Sequence, residues 1–129
     1  GSWLNNRRLR VSNRKNLSDM LFATGVPFGN NPNLDLTLRE IKNLLPVCSG
    51  IRRSGSAALD LAYVAAGRYD GFWERNLNPW DIAAGILIVK EAGGFISCID
   101  SNLSPLESGN IIASNTDVYE KFANLLDRK

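Results

Sequence analysis

Histidine is absent from this chain, which removes every imidazole base, His-based triad and His-ligated metal centre from its possible chemistry. Cysteine is scarce: Cys48 and Cys98, fifty residues apart, make neither a disulfide framework nor the ligand spacing of a zinc site. No apolar run approaches the ~20 residues a membrane-spanning helix needs; the most apolar stretch is Ile82 to Val89. The first residues contain no signal-peptide-like apolar core, so a cytoplasmic protein with no membrane partner is expected. No charge sign dominates either. Fifteen basic against 13 acidic residues leave a net charge of +2, too balanced to make nucleic acid the main partner. Acids are nonetheless missing before Asp19, while Arg7, Arg8, Arg10, Arg14 and Lys15 crowd the start of the chain. Either a basic arm for a polyanion or a solvated strand edge guarded by charge accounts for them.

What is present suits one globular domain over residues 1–129. The chain is 44% hydrophobic and 22% charged, and a domain of this size buries about two-thirds of its unfolded surface. Leu9-Arg10-Val11 alternates as a short edge strand would, and Met20 to Val26 reads as a buried strand closed by Gly25 and Pro27. Phe28 to Leu34, rich in Asn, Gly and Pro, is a loop. Thr37-Leu-Arg-Glu40 matches a capping box, and Leu38, Ile41, Leu44 and Leu45 predict a helix over about 36–45. An Ala-rich helix follows, capped by Ser54 and stopped by Gly67. Tyr69 to Trp73 predicts a strand. Asn78 and Pro79 open a third helix that is apolar on every face as far as Val89, and hence a buried one. Phe95 to Ile99 and Asn110 to Ala113 predict strands around a turn-rich Ser101 to Gly109, and Thr116 caps a last helix facing inward through Val118, Phe122, Leu125 and Leu126. Strands interleaved with helices give an α/β fold, a mixed β-sheet covered by helices.

Two helix starts carry the chemistry. At Arg52-Arg53-Ser54-Gly55-Ser56-Ala57 small residues leave backbone N–H groups and the positive end of the helix dipole open to a phosphate or polyol. The plainer reading is a serine cap beside residues small enough for close packing. No Gly-x-x-x-x-Gly-Lys pattern occurs, which excludes a nucleotide P-loop. At the other start, Asp81 lies beside Trp80 in the first turn. It either complements the dipole or holds a hard cation such as Mg²⁺, which favours one or two carboxylates with waters and phosphate oxygens. Glu74 lies on a loop seven residues earlier, within reach of the same mouth, where it serves as a surface acid or as a hydrogen-bond partner for a substrate hydroxyl.

Trp80-Asp-Ile-Ala-Ala-Gly-Ile-Leu-Ile-Val-Lys-Glu-Ala-Gly-Gly94 closely resembles the second signature of the inositol monophosphatase family of Mg²⁺-dependent sugar phosphatases. Leu21 to Phe28, Ile51 to Ala58 and Gly67 to Glu74 also look like family segments in the family's order. The family's first signature, Asp-Pro-(Ile/Leu)-Asp-Gly-Thr, and the glutamate before it have no counterpart, since the chain holds no Asp-Pro pair. The resemblance therefore implies the C-terminal domain of the family's fold, with an N-terminal metal-binding half missing upstream.

By position, the resemblance makes Asp81 the aspartate that ligates catalytic Mg²⁺ and orients the attacking water. It makes Glu74 the acid that bonds a ring hydroxyl, and Gly55, Ser56 and Ala57 the segment that contacts the sugar or polyol. Two or three Mg²⁺ ions are implied for the intact site, with little retained by this chain alone. The expected activity is hydrolysis of myo-inositol monophosphate or a similar small polyol or sugar phosphate once the missing half is present, in a parent that is expected to dimerise. A chain with one metal carboxylate is expected to be inactive by itself, and to expose apolar surface meant for the missing half. The rivals are a non-catalytic anion-binding or protein-interaction module on the same fold, and a phosphatase for a sugar bisphosphate or a nucleotide-derived phosphate.

Overall fold

Apolar residues alternate between two cores along every central strand. In the computed structural model, which describes residues 1–27, 29, 31–99 and 102–128, Phe22 packs on one side of a sheet and Ala23 on the other, as do Trp73 and Phe72, and Ile112 and Ile111. These strands are β3 (Leu21–Thr24), β5 (Gly71–Glu74) and β7 (Ile111–Ser114). With β4 (Gly50–Arg52) and β6 (Phe95–Ser97) they form a five-stranded sheet in the order β4-β3-β5-β7-β6. The first three run parallel, while β7 is antiparallel to both β5 and β6, so the sheet is mixed.

Two helices cover each face. On one, α2 (Ala57–Ala65) and α3 (Pro79–Glu91) bury Leu61, Val64, Ile82, Ile86 and Val89. On the other, α1 (Leu34–Leu44) and α5 (Tyr119–Asp127) enclose Met20, Phe22, Leu44, Trp73 and Phe122, with the Phe122 ring against both Phe22 and Trp73. A two-stranded ribbon, β1 (Trp3–Leu4) and β2 (Arg7–Arg8), precedes this body, and the short α4 (Pro105–Ser108) precedes β7.

Several expectations shift. Leu9 to Val11 is no sheet strand: Leu9 N–H donates to Ser2 and Val11 N–H to Ala92, so the segment is a tether. The hairpin forms one step earlier because Asn5 and Asn6 adopt the left-handed conformation that a tight turn requires. The capping box at Thr37 is not formed either. The Asn31 side chain accepts from Asn33 N–H, the helix starts at Leu34, and Thr37 and Glu40 lie buried inside it. Ser56, not Ser54, caps α2, accepting from Leu59 N–H at 3.2 Å. The last helix begins at Tyr119 because the Asn115 side chain, rather than Thr116, accepts from Val118 N–H. The strand expected at Tyr69 starts at Gly71. α3 is buried on one side only, leaving Trp80, Ala83, Ala84 and Leu87 exposed. Phe28 and Asn30 of the expected loop, and Ser101 of the turn-rich stretch, lie outside the described residues.

Candidate active site

β3 and β5 are parallel neighbours, yet the helices that follow them go to opposite faces, α1 to one and α3 to the other. Such a reversal opens a crevice beyond the carboxyl ends of the two strands, where open α/β sheets place their ligands. Glu74 ends β5 there, and Gly25 follows β3 directly opposite.

A cavity of about 370 Å³ opens at this point, lined by Gly55, Ser56, Ala57, Ala58, Glu74, Leu77, Trp80 and Asp81. All five residues singled out in the sequence, Gly55, Ser56, Ala57, Glu74 and Asp81, are thus brought to one site from three elements. A second recess of about 290 Å³, bounded by Gly25, Arg53, Ser54 and Gly55, shares the Glu74 side chain with it.

Each wall has a local cause. Gly55 has φ +85°, a conformation that strains any residue with a Cβ, so the turn into α2 needs glycine. Ser54 Oγ donates to Asp60 Oδ1 at 2.7 Å and accepts from Ser56 N–H at 3.2 Å, locking that turn. Asp81 is the third residue of α3. Its Oδ2 accepts from Asn78 N–H at 3.2 Å while Asn78 caps the helix in return, so the carboxylate is held by a capping box at a rigid helix start.

Glu74 is the electrostatic outlier. Burial, reinforced by the charges of Asp60 and Asp81, pushes its carboxyl up to about 7. Near neutral pH it therefore both donates and accepts hydrogen bonds, which suits a hydroxyl-rich ligand. Asp60 is itself buried, and desolvation raises its carboxyl despite the Ser54 hydrogen bond.

Sequence reasoning missed Gly25 and Asp60. A Cβ at Gly25 would lie 2.3 Å from the Glu74 carboxyl carbon, so only glycine leaves the acid its place. Asp60 is the single charge in Ala57 to Ala66, and an acid inside an alanine-rich helix is the signal that could have found it. For a metal the donor set is short: among the described residues no group of three or more Asp, Glu, Cys or His side chains is placed to hold an ion.

Comparison with known proteins gives concordant results. The model of the Inositol monophosphatase family matches residues 1–129. An inositol-1-monophosphatase of Rhizobium meliloti is 47% identical over 128 residues, covering 99% of this chain and 48% of that protein. A Nus factor SuhB of Pseudomonas aeruginosa is 52% identical over 122 residues, 93% of this chain and 45% of that protein. The crystal structure of the extragenic suppressor protein suhB from Bartonella henselae superposes with a TM-score of 0.93 at 49% identity, over 99% of this chain and 50% of that one. The chain thus spans about half the length of the relatives it matches.

Proposed function

The chain belongs to the inositol monophosphatase family, and from that premise we propose that it is the C-terminal, polyol-binding half of a Mg²⁺-dependent phosphomonoesterase acting on myo-inositol monophosphate or a similar small polyol or sugar phosphate. The observation that carries this reading is the convergence of Gly55, Ser56, Ala57, Glu74 and Asp81 on one cavity at the carboxyl ends of β3 and β5.

The roles follow from the chemistry of each group. The start of α2 offers backbone N–H groups and the dipole's positive end to oxygen atoms of the ligand. Glu74, able to donate or accept, takes a ring hydroxyl. Asp81 contributes one hard oxygen ligand from a helix that cannot yield, while the remaining ligands come from the portion of the relatives that this chain does not span. When bound, Mg²⁺ supplies the positive charge that phosphoryl transfer to water requires. The chain's own part is to orient the polyol and to hold that one carboxylate at the reacting end.

The test is a chimera in which the unmatched segment of the Rhizobium meliloti relative is joined to this chain in that protein's order. The chimera should hydrolyse inositol monophosphate with Mg²⁺, the 129-residue chain should not, Glu74→Gln should raise KM, and Asp81→Asn should abolish turnover. Enzyme-like turnover by the chain alone, or by the Asp81→Asn chimera, overturns the assignment.

One observation favours a second, non-catalytic role beside this one. Arg7 and Arg8 are exposed on β2, whereas Arg14 is tied to Asp70 at 3.1 Å, so the exposed pair is open to an acidic partner. Salt-sensitive binding of a polyanion that is lost in the Arg7→Ala/Arg8→Ala double variant is the corresponding measurement.

A further inference from the structure

β5 ends at Glu74 with strand pairing on one side only. Its register with β3 stops at Thr24 opposite Trp73, where Thr24 Oγ1 donates to the Trp73 carbonyl at 2.7 Å, and one residue further Glu74 pairs with Ile111 of β7 alone. The Glu74 side chain lies over Gly25 so closely that a Cβ on that glycine would stand 2.3 Å from its carboxyl carbon. A strand end held along one edge does not by itself fix a carboxyl to that tolerance.

The second hold comes from the opposite face of the sheet. Side chains alternate along a strand, so the two neighbours of Glu74, Trp73 and Arg75, both reach the α1 layer while Glu74 faces the cavity. A single carboxylate receives them: Trp73 Nε1 donates to Glu40 Oε1 and the Arg75 guanidinium to both Glu40 oxygens, every contact within 3.1 Å. Both partners are buried, the Glu40 side chain 1% and that of Arg75 7% exposed. Glu40 sits within α1, which is fastened in turn to α5 by Asn43 Nδ2 donating to the carbonyls of Leu125 and Arg128. Apolar side chains of similar size would hold the fold about as well, because desolvation offsets the attraction of a buried ion pair. What the forked pair adds is a fixed direction and distance.

We infer that Glu40 and Arg75 are positioning residues: neither lines the 370 or the 290 Å³ recess, yet together they fix the strand end so that Glu74 meets the ligand's hydroxyl. Their pairing therefore sets preference for a hydroxylated ring over a bare phosphate ester. The inference deepens the polyol phosphatase reading and rests on it.

The experiment uses the chimera described above and compares kcat/KM for inositol monophosphate with that for phenyl phosphate, which has no ring hydroxyl. Glu40→Leu/Arg75→Met fills the same space without charge and should lower the preference for inositol monophosphate by about tenfold or more, through KM. Arg75→Lys, which keeps the charge and loses the fork, should lower it in the same direction. Adding Glu74→Gln to the double variant should cost little further, since all three substitutions act on one contact. A merely structural pair would lower both substrates equally by reducing the folded fraction, so an unchanged preference overturns the inference, as do losses that simply add to that of Glu74→Gln. A chimera that turns over neither phosphate sinks the phosphatase reading, and carboxyl-carbon NMR on the chain alone then decides the inference. Replacing the pair leaves the net charge as it was, so the Glu74 titration should move from about 7 toward 4.5 only if its carboxyl has left its place, and an unmoved midpoint overturns the inference.

Discussion

The Glu40 carboxylate grips the Arg75 guanidinium with both oxygens, Oε1 at 2.5 Å from Nη1 and Oε2 at 2.7 Å from Nη2, where neither side chain meets appreciable solvent. Oε1 also accepts from Trp73 Nε1 at 3.1 Å. Trp73 and Arg75 flank Glu74 in sequence, so α1 anchors the strand end that presents the cavity's acid from the opposite face of the sheet.

Glu40→Gln is expected to destabilise the chain by about 3 kcal/mol, because it deprives a buried guanidinium of its bidentate counter-charge. Urea midpoints measure this. The double variant Glu40→Leu/Arg75→Met should recover most of the loss, since replacing both charges removes the desolvation cost together with the attraction.

Stability should fall as pH rises from about 4.5 to about 7. Glu74 keeps its proton up to about 7 in the folded chain and releases it near the ordinary 4.5 when unfolded, so its favourable contribution is complete below 4.5 and is lost as pH climbs through 7. In Glu74→Gln that part of the dependence should vanish, and the variant should be the more stable protein at pH 8. Denaturation at pH 5 and pH 8 decides it, and equal pH dependence in both proteins contradicts the expectation.

Gly25→Ala should displace the Glu74 carboxyl without unfolding the protein. The atoms a Cβ would strike belong to the far end of a flexible side chain, which can swing toward water. Carboxyl-carbon NMR titration should then show the Glu74 pKa dropping from about 7 toward 4.5, with the melting temperature changed by only a few degrees.

Gly85→Ala should cost about 1–3 kcal/mol through overpacking, since the new methyl would meet Leu61 Cδ1 at 2.5 Å and Cβ at 2.8 Å between two tightly packed helices. Gly85→Ala/Leu61→Ala, which makes room, should be less destabilised than the sum of its parts, measured as a double-mutant cycle.

The α/β class and the two helix starts of the site were legible because each rests on local chemistry. Periodicity marks Leu125 and Leu126 as inward-facing, and Asn78-Pro79 announces α3 within a few residues. Partnerships between distant residues were not legible. Glu40 mimics a capping-box acid three residues after Thr37, yet its carboxylate is engaged by Trp73 and Arg75, more than thirty positions away. β4 escaped because three residues beginning with glycine and ending with arginine show no alternation, and only pairing with β3 makes them a strand. The apolar sequence of α3 suggested burial on all sides, but within this chain packing covers one side alone.

The reversal between β3 and β5 also bears on how such a site diversifies. The connections leaving these two strands travel to separate cores, so the one between β3 and α1 can be lengthened or exchanged without moving a residue of Phe22's cluster, and the one between β5 and α3 can be so long as Leu77, which packs on Phe72's cluster, is kept. A graft between β3 and α1, or between β5 and α3, would redraw the rim that a ligand's hydroxyls encounter while Gly25 and Glu74 keep their opposition. Selectivity and foldability are thereby carried by different stretches of polypeptide, and one is free to drift while the other is held.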